Sequence, residues 1–222
     1  MVNLRPAPDP RFSDFRTIRS PRVFKAYRYL QPEFADDFRR GRIYIGTMES
    51  FSALEDAQAD PLDSGAQLNI DAHIKDPSDP RLATLAQVGF NLTRGYDVHF
   101  TNCSVHYAAT GHALCMSLVP DNPAFLKEGK TAVFEIADTE KFGILLTQAG
   151  GGCLSFRMSG GPVYYENRIS SLNQGLIHAD PFKKDPKFAH EKEIRLFWDT
   201  ADAVSPVIVS APLAAALIKQ VR

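Results

Sequence analysis

His112-Ala113-Leu114-Cys115-Met116-Ser117-Leu118-Val119 is a run of apolar and small residues with a single hydroxyl near its end. It follows Tyr96–Tyr107 and precedes Thr131–Ile136, and all three stretches carry the residue types of strands. Along the whole chain strand-type stretches outnumber helical ones and rarely alternate with them, which disfavours a parallel, doubly wound sheet. The pattern predicts an α+β fold: two packed, largely antiparallel β-sheets with peripheral helices.

Upstream of this centre, residues 23–30 alternate. Val23, Lys25, Tyr27 and Tyr29 share one face, and Phe24, Ala26, Arg28 and Leu30 share the other. A strand here places Arg28 on the apolar face, where a guanidinium needs a partner. Pro32 opens a short helix through Phe38 that stops at Gly41, following the usual asymmetry of helix ends. Arg42–Thr47 reads as a strand, Met48–Leu54 as a short helix, and the acidic residues 55–64 as a loop. Ala66–Ile74 alternates as a strand, and Pro80–Val88 forms a helix.

Downstream, Thr139–Gln148 reads as a helix stopped by Gly150–Gly152. Cys153–Met158 and Pro162–Tyr165 resemble two strands joined by Ser159-Gly160-Gly161, with a polar connection over residues 167–182. A short helix over Asp185–Glu191 leads into a strand at Glu193–Trp198. Val207–Val209 is a further strand and Pro212–Val221 a closing helix. Residues 1–20, with three prolines, are expected to form an N-terminal arm, and residues 21–222 a single α+β domain.

A hydrophobic fraction of 44% and a charged fraction of 23% are ordinary for a globular chain, and 222 residues bury a core without staples. The net charge of −1 implies no field of one sign, which argues against nucleic-acid binding by counterion release. Three cysteines, with no CxxC spacing, point to buried free thiols in a reducing cytosol. No apolar run approaches the roughly twenty residues of a membrane span, and the first residues have no signal-peptide core, so a cytoplasmic protein is expected.

The segment richest in chemistry is Phe188-Ala189-His190-Glu191-Lys192-Glu193-Ile194-Arg195-Leu196-Phe197-Trp198, a cluster of charges running into an apolar strand. Glu191 and Glu193 are two apart and point the same way in extended chain. Two carboxylates on one face can hold a sugar hydroxyl and stabilise a developing positive charge. On residue type alone, a solvated strand entry with Glu and Lys pairing at its mouth is the simpler reading.

The order of "YRYL", a short helix, "GRIYIGT", an acidic "DPLD" loop and a late "HEKEIRLFW" resembles uncharacterised bacterial proteins linked to phage defence. It is also similar to the ADP-ribosyltransferase superfamily. The resemblance implies two packed antiparallel sheets, NAD as substrate, and a macromolecular acceptor that the sequence does not name. It places the early basic position at Arg28, the middle hydroxyl at Ser117 or Tyr107, and the late carboxylates at Glu191 and Glu193. In that scheme Glu193 stabilises the ribosyl cation, and Arg28 binds a diphosphate oxygen or ribose. Ser117 supports the glutamate or ribose, Tyr164 or Tyr165 stacks on nicotinamide, and Glu191 activates the acceptor.

Two other classes stand beside it. Asp56, Asp60 and Asp63, with His190 or Glu191, would give a metal-dependent nuclease, although their spacing fits no EF-hand loop and an Asx-rich turn is the plainer reading. A non-catalytic module that binds a nucleotide or a protein is the other. No metal ligand set is assigned, and His99, His106 and His112 read as ordinary strand residues.

Overall fold

A computed structural model describes residues 24–52, 62, 65–90, 97–200 and 205–222. The N-terminal arm expected over residues 1–20 lies outside them. In chain order the strands are β1 (Ala26–Leu30), β2 (Arg42–Thr47), β3 (Gly65–Ile74), β4 (Val98–Ala108), β5 (Gly111–Ser117) and β6 (Ala132–Ile136). They continue as β7 (Met158–Pro162), β8 (Tyr164–Tyr165), β9 (Ile169–Ser171), β10 (Lys183–Lys184), β11 (Glu193–Asp199), β12 (Val207–Ser210) and β13 (Ile218–Gln220). The helices are α1 (Ala35–Arg39), α2 (Met48–Ser52), α3 (Arg81–Gln87), α4 (Pro123–Lys127), α5 (Thr139–Gly150) and α6 (Pro212–Ala215). The fold is α+β, with largely antiparallel sheets and few helices, as the sequence predicts.

Two compact units emerge, each with its own apolar core. The smaller comprises residues 66–107 and 168–178 and holds a three-stranded sheet in the order β4-β3-β9. Strict alternation on β3 buries Leu68, Ile70, Ala72 and Ile74, which pack with Leu85 of α3 and with Phe100. The β9 strand lies in what the sequence presents as a polar connection. Its parallel pairing with β3 (Gln67↔Ile169 to Asn69↔Ser171) supplies a structure that three residues could not hold alone.

The larger unit is built around β5. Along one edge β5 pairs antiparallel with the whole of β11, from Glu193↔Ser117 to Asp199↔Gly111, and β7 pairs outside β11. Its other edge is shared. β2 takes the start of β5 (Gly46↔Ala113, Thr47↔His112), whereas β1 takes its end (Tyr27↔Ser117). β12 extends the β2 arm, and β6 and β13 extend the β1 arm. Both arms contribute to one core: Ala26, Phe134 and Ile136 from the β1 arm, Ile43, Ile45 and Val209 from the β2 arm, with Phe142 and Leu146 of α5.

Sequence chemistry accounts for the element ends. Gly41, just past α1, takes φ +81°, and a Cβ there would lie 2.5 Å from the Ala211 carbonyl oxygen, so the helix stop also permits a close chain approach. Asp138 caps α5 by accepting from the Lys141 amide at 2.9 Å.

Two expectations are corrected. Ser159-Gly160-Gly161 is not a turn but the middle of β7. A Cβ on Gly160 would come 2.8 Å from Leu196 Cδ2, so glycine serves close packing on β11 rather than chain reversal. Pro212–Val221 is not one helix: α6 ends at Ala215, and Ile218–Gln220 instead pairs with the outer edge of β6, which the helix would leave open.

Trp198, fully buried, donates its indole N–H to Thr147 Oγ1 at 2.7 Å, tying β11 to α5. Replacing Thr147 by Val leaves that donor without a partner. Denaturant unfolding is expected to report a loss of about 1–3 kcal/mol, and an unchanged midpoint would contradict the tie.

Candidate functional site

The site grows from the two faces of the β5–β11 pair. Leu114 and Met116 on β5, with Ile194, Leu196 and Trp198 on β11, turn into the main core. Alternation sends Ala113, Cys115 and Ser117, with Glu193, Arg195 and Phe197, to the opposite face. Four of these six positions carry polar side chains, and Ser117, Glu193 and Arg195 among them are buried. Groups of this kind persist in a dry interior only when paired.

Pairing is supplied by Lys184, which the sequence did not single out. β10 runs parallel to β8, with Lys184 opposite Tyr165, and this pairing carries the ammonium into the face. Lys184 Nζ lies 2.6 Å from Glu191 Oε2 and 3.2 Å from Glu193 Oε2. Arg195 donates to the other Glu193 oxygen through Nε at 2.8 Å and Nη2 at 2.7 Å, and through Nη1 to the Pro181 carbonyl at 2.6 Å.

Glu191 closes a short 3₁₀ turn (Pro186–Glu191), and Lys192 follows in the left-handed region at φ +48°. The two glutamates therefore do not converge as same-face residues of one extended strand. The reversal at Lys192 and the shared lysine bring them together. Ser117 Oγ donates to the Glu191 carbonyl at 3.0 Å, and Asn122 Nδ2 donates to the same oxygen at 2.9 Å. Tyr29 Oη accepts from the Asn122 amide at 2.8 Å. Ser117 thus fixes the main chain of Glu191.

Arg28 enters from β1. It shares its strand face with Ala26, which belongs to the main core, as the alternation predicts. Among the described residues no strand is in register with residues 114–116 on the edge that β5 divides between β1 and β2. There Arg28 Nη1 donates to the Cys115 carbonyl, while the buried Nε has no partner. Burial draws the guanidinium below its ordinary pKa, and the neighbouring Cys115 thiol and Glu193 carboxylate oppose that shift.

A cavity of about 160 Å³ opens at this division, lined by Arg28, Cys115, Ser117, Lys184, Glu191 and Glu193. Its apolar walls include Tyr27, Tyr29, Phe51 and Phe125. Lys130 also lines it, 5.3 Å from the Phe125 ring centre and 2.9 Å from Glu128.

The other expected residues fall as follows. Tyr165 accepts from the Glu193 amide at 2.8 Å through its hydroxyl, and burial pushes that hydroxyl up to about 12, with Glu193 and Glu191 adding to the effect. Tyr164 is exposed, and neither it nor Tyr165 is among the cavity residues, so the ring faces come from other aromatic residues. Tyr107 belongs to the smaller unit, where its hydroxyl donates to the Ile177 carbonyl.

Asp56, Asp60 and Asp63 lie outside the described residues. Among the described residues no cluster of His, Cys, Asp and Glu is arranged to hold a metal ion. The three cysteines are free, but Cys103 and Cys153 are exposed and Cys115 is half-buried, which corrects the expectation of buried thiols. No helix among the described residues is long and apolar enough to cross a membrane.

The two carboxylates differ electrostatically. Burial pushes Glu191 up to about 7, with Lys184 opposing and Glu193 reinforcing the rise. Burial acts on Glu193 in the same direction, but Arg195 and Lys184 outweigh it and hold this carboxyl down to about 2. No family model, curated protein or solved structure matches the chain.

Opposite linkages with pH follow. Glu193 contributes stability above its ordinary value of 4.5, lost as pH falls toward about 2. Glu191 favours the folded state while protonated, and that contribution is lost as pH rises from 4.5 through about 7. Denaturant unfolding between pH 5 and 8, pH values chosen to bracket about 7, is expected to show a decline of about 1 kcal/mol or more that Glu191→Gln removes. An identical pH dependence in the variant would contradict it.

Proposed function

We propose that this chain is an NAD-consuming enzyme of the ADP-ribosyltransferase type, a cytoplasmic effector in a defence or toxin setting. The observation that carries this reading is the meeting of Arg28 and Ser117 with the later Glu191 and Glu193 around one cavity. A pair of carboxylates whose environments push their proton affinities apart is the arrangement that glycosidic chemistry uses. Here one is held ionised, and the other titrates near neutrality.

The residues suit the dinucleotide in three respects. Among the residues that line the cavity, Arg28, Lys130 and Lys184 set three cations against the carboxylates of Glu191 and Glu193, a surplus that favours an anionic ligand such as a diphosphate. Arg28, which lines the cavity, offers that ligand a planar guanidinium donor. Tyr27, Tyr29, Phe51 and Phe125 provide ring faces for a planar base. A cavity of about 160 Å³ accommodates one end of a dinucleotide rather than the whole, since pockets that enclose drug-sized ligands run to roughly 300–1,000 Å³.

In the reaction the bond between ribose C1 and the nicotinamide nitrogen breaks, and its electron pair leaves with nicotinamide. Positive charge develops on the ribose, and the ionised Glu193 stabilises it through a poorly solvated medium. The acceptor nucleophile forms the new bond to C1 and loses its proton to Glu191. Ser117 acts indirectly, through the Glu191 main chain. The acceptor is a macromolecule that the cavity does not specify.

Replacing Glu193 by Gln is expected to lower nicotinamide release from NAD by about 100-fold or more, the scale of one lost electrostatic contact. Release should also decline as pH falls through about 7, because Glu191 must be deprotonated to act, and Glu191→Gln should abolish that limb. Chromatographic quantification of nicotinamide checks both. Undiminished release by the Glu193 variant would remove the proposed catalyst.

A further inference from the structure

We propose that Lys184 is a positioning residue of this site, a single ammonium that holds Glu191 and Glu193 in one fixed arrangement across the cavity wall. The inference rests on the reading of the two glutamates as the working carboxylates. The geometry is its warrant: one Nζ bridges carboxylates at 2.6 and 3.2 Å, from residues that lie on a 3₁₀ turn and on β11.

Each element packed around Lys184 adds a constraint. Tyr165, its register partner on β8, holds the Glu193 amide. Arg195 on β11 takes the second Glu193 oxygen, so Lys184 is left the first. Cys115 on β5 hydrogen-bonds the Glu193 carboxylate, and Arg28 on β1 acts on it electrostatically. The Phe188 ring lies 4.8 Å from Nζ, on the same turn that carries Glu191. A lysine side chain this buried, in reach of both carboxylates, offsets their mutual repulsion so that both occupy the site.

The reach of Lys184 also explains a sequence feature that the function leaves unused. Lys183 and Lys184 are adjacent on a strand, so their side chains part. Lys183 meets Glu166 at 3.1 Å, more than half exposed on the glutamate side, and Lys184 turns inward. The outer lysine is dispensable to the arrangement, and the inner one is not.

The test is a carbon-13 titration of the glutamate carboxyls, assigned with Glu191→Gln and Glu193→Gln. In Lys184→Met the proton affinity of Glu193 is expected to rise at least tenfold, whereas Lys183→Met leaves it unchanged. A folded Lys184→Met protein with wild-type titrations would overturn the proposal.

If Lys184→Met does not fold, the wild-type protein supplies a second readout. The Lys184 ammonium protons, assigned by their absence in Lys184→Arg, should exchange slowly enough to be seen at neutral pH. Exchange as fast as that of Lys183 would overturn the proposal. Both readouts are independent of turnover, so an absence of nicotinamide release by the wild type would count against the transferase reading alone. Where release is observed, Lys184→Met should lower kcat and displace the pH profile with a smaller change in KM, and an unmoved profile would count against Lys184.

Discussion

One edge of β5 is asked to serve two strands, and the structure depends on how that conflict is met. β2 and β1 each take one end of the edge, and residues 114–116 between them face neither in register. A buried main-chain carbonyl without a partner is costly. Arg28 resolves the difficulty by donating to the Cys115 carbonyl, and the same side chain lines the cavity. The division of the sheet thus creates the cavity and supplies its first cation.

The second constraint is electrostatic. A strand that alternates Glu193, Arg195 and Phe197 against Ile194, Leu196 and Trp198 must bury charge on one face to bury a core with the other. Arg195 and Lys184 compensate Glu193. Lys184 also reaches Glu191, whose carboxyl changes protonation near neutral pH. Removing one member of such a cluster is far more damaging than its net contribution suggests, because it strands the others in a poorly solvated place. Stability and chemistry are therefore set by the same few contacts.

Much of this was legible in the residues. Alternation over residues 23–30 assigned Arg28 to the apolar face, and a guanidinium there called for a partner that proved to be a main-chain carbonyl. The charged entry to the Trp198 strand marked the two glutamates. What local pattern could not reveal was pairing over long range. β9, β10 and β13 are two or three residues each and exist because a neighbouring strand offers an edge. Lys184 was hidden for that reason, since nothing in Phe182-Lys183-Lys184-Asp185 distinguishes a buried lysine from a solvated one. A carboxylate placed in an apolar strand was the available signal that a cation must lie close by. The glycines of β7 were misread because glycine marks close packing as readily as it marks a turn.

The central claim is that NAD seats in the cavity where β1 and β2 part. Cys115 lines that cavity, and Cys103 and Cys153 are exposed elsewhere, so a protein with serine at those two positions reports on the cavity through a single thiol. The decisive measurement is the rate at which a thiol reagent labels Cys115, with and without an excess of NAD. The account predicts that NAD slows labelling and that Arg28→Ala relieves the protection. A labelling rate indifferent to NAD would contradict it.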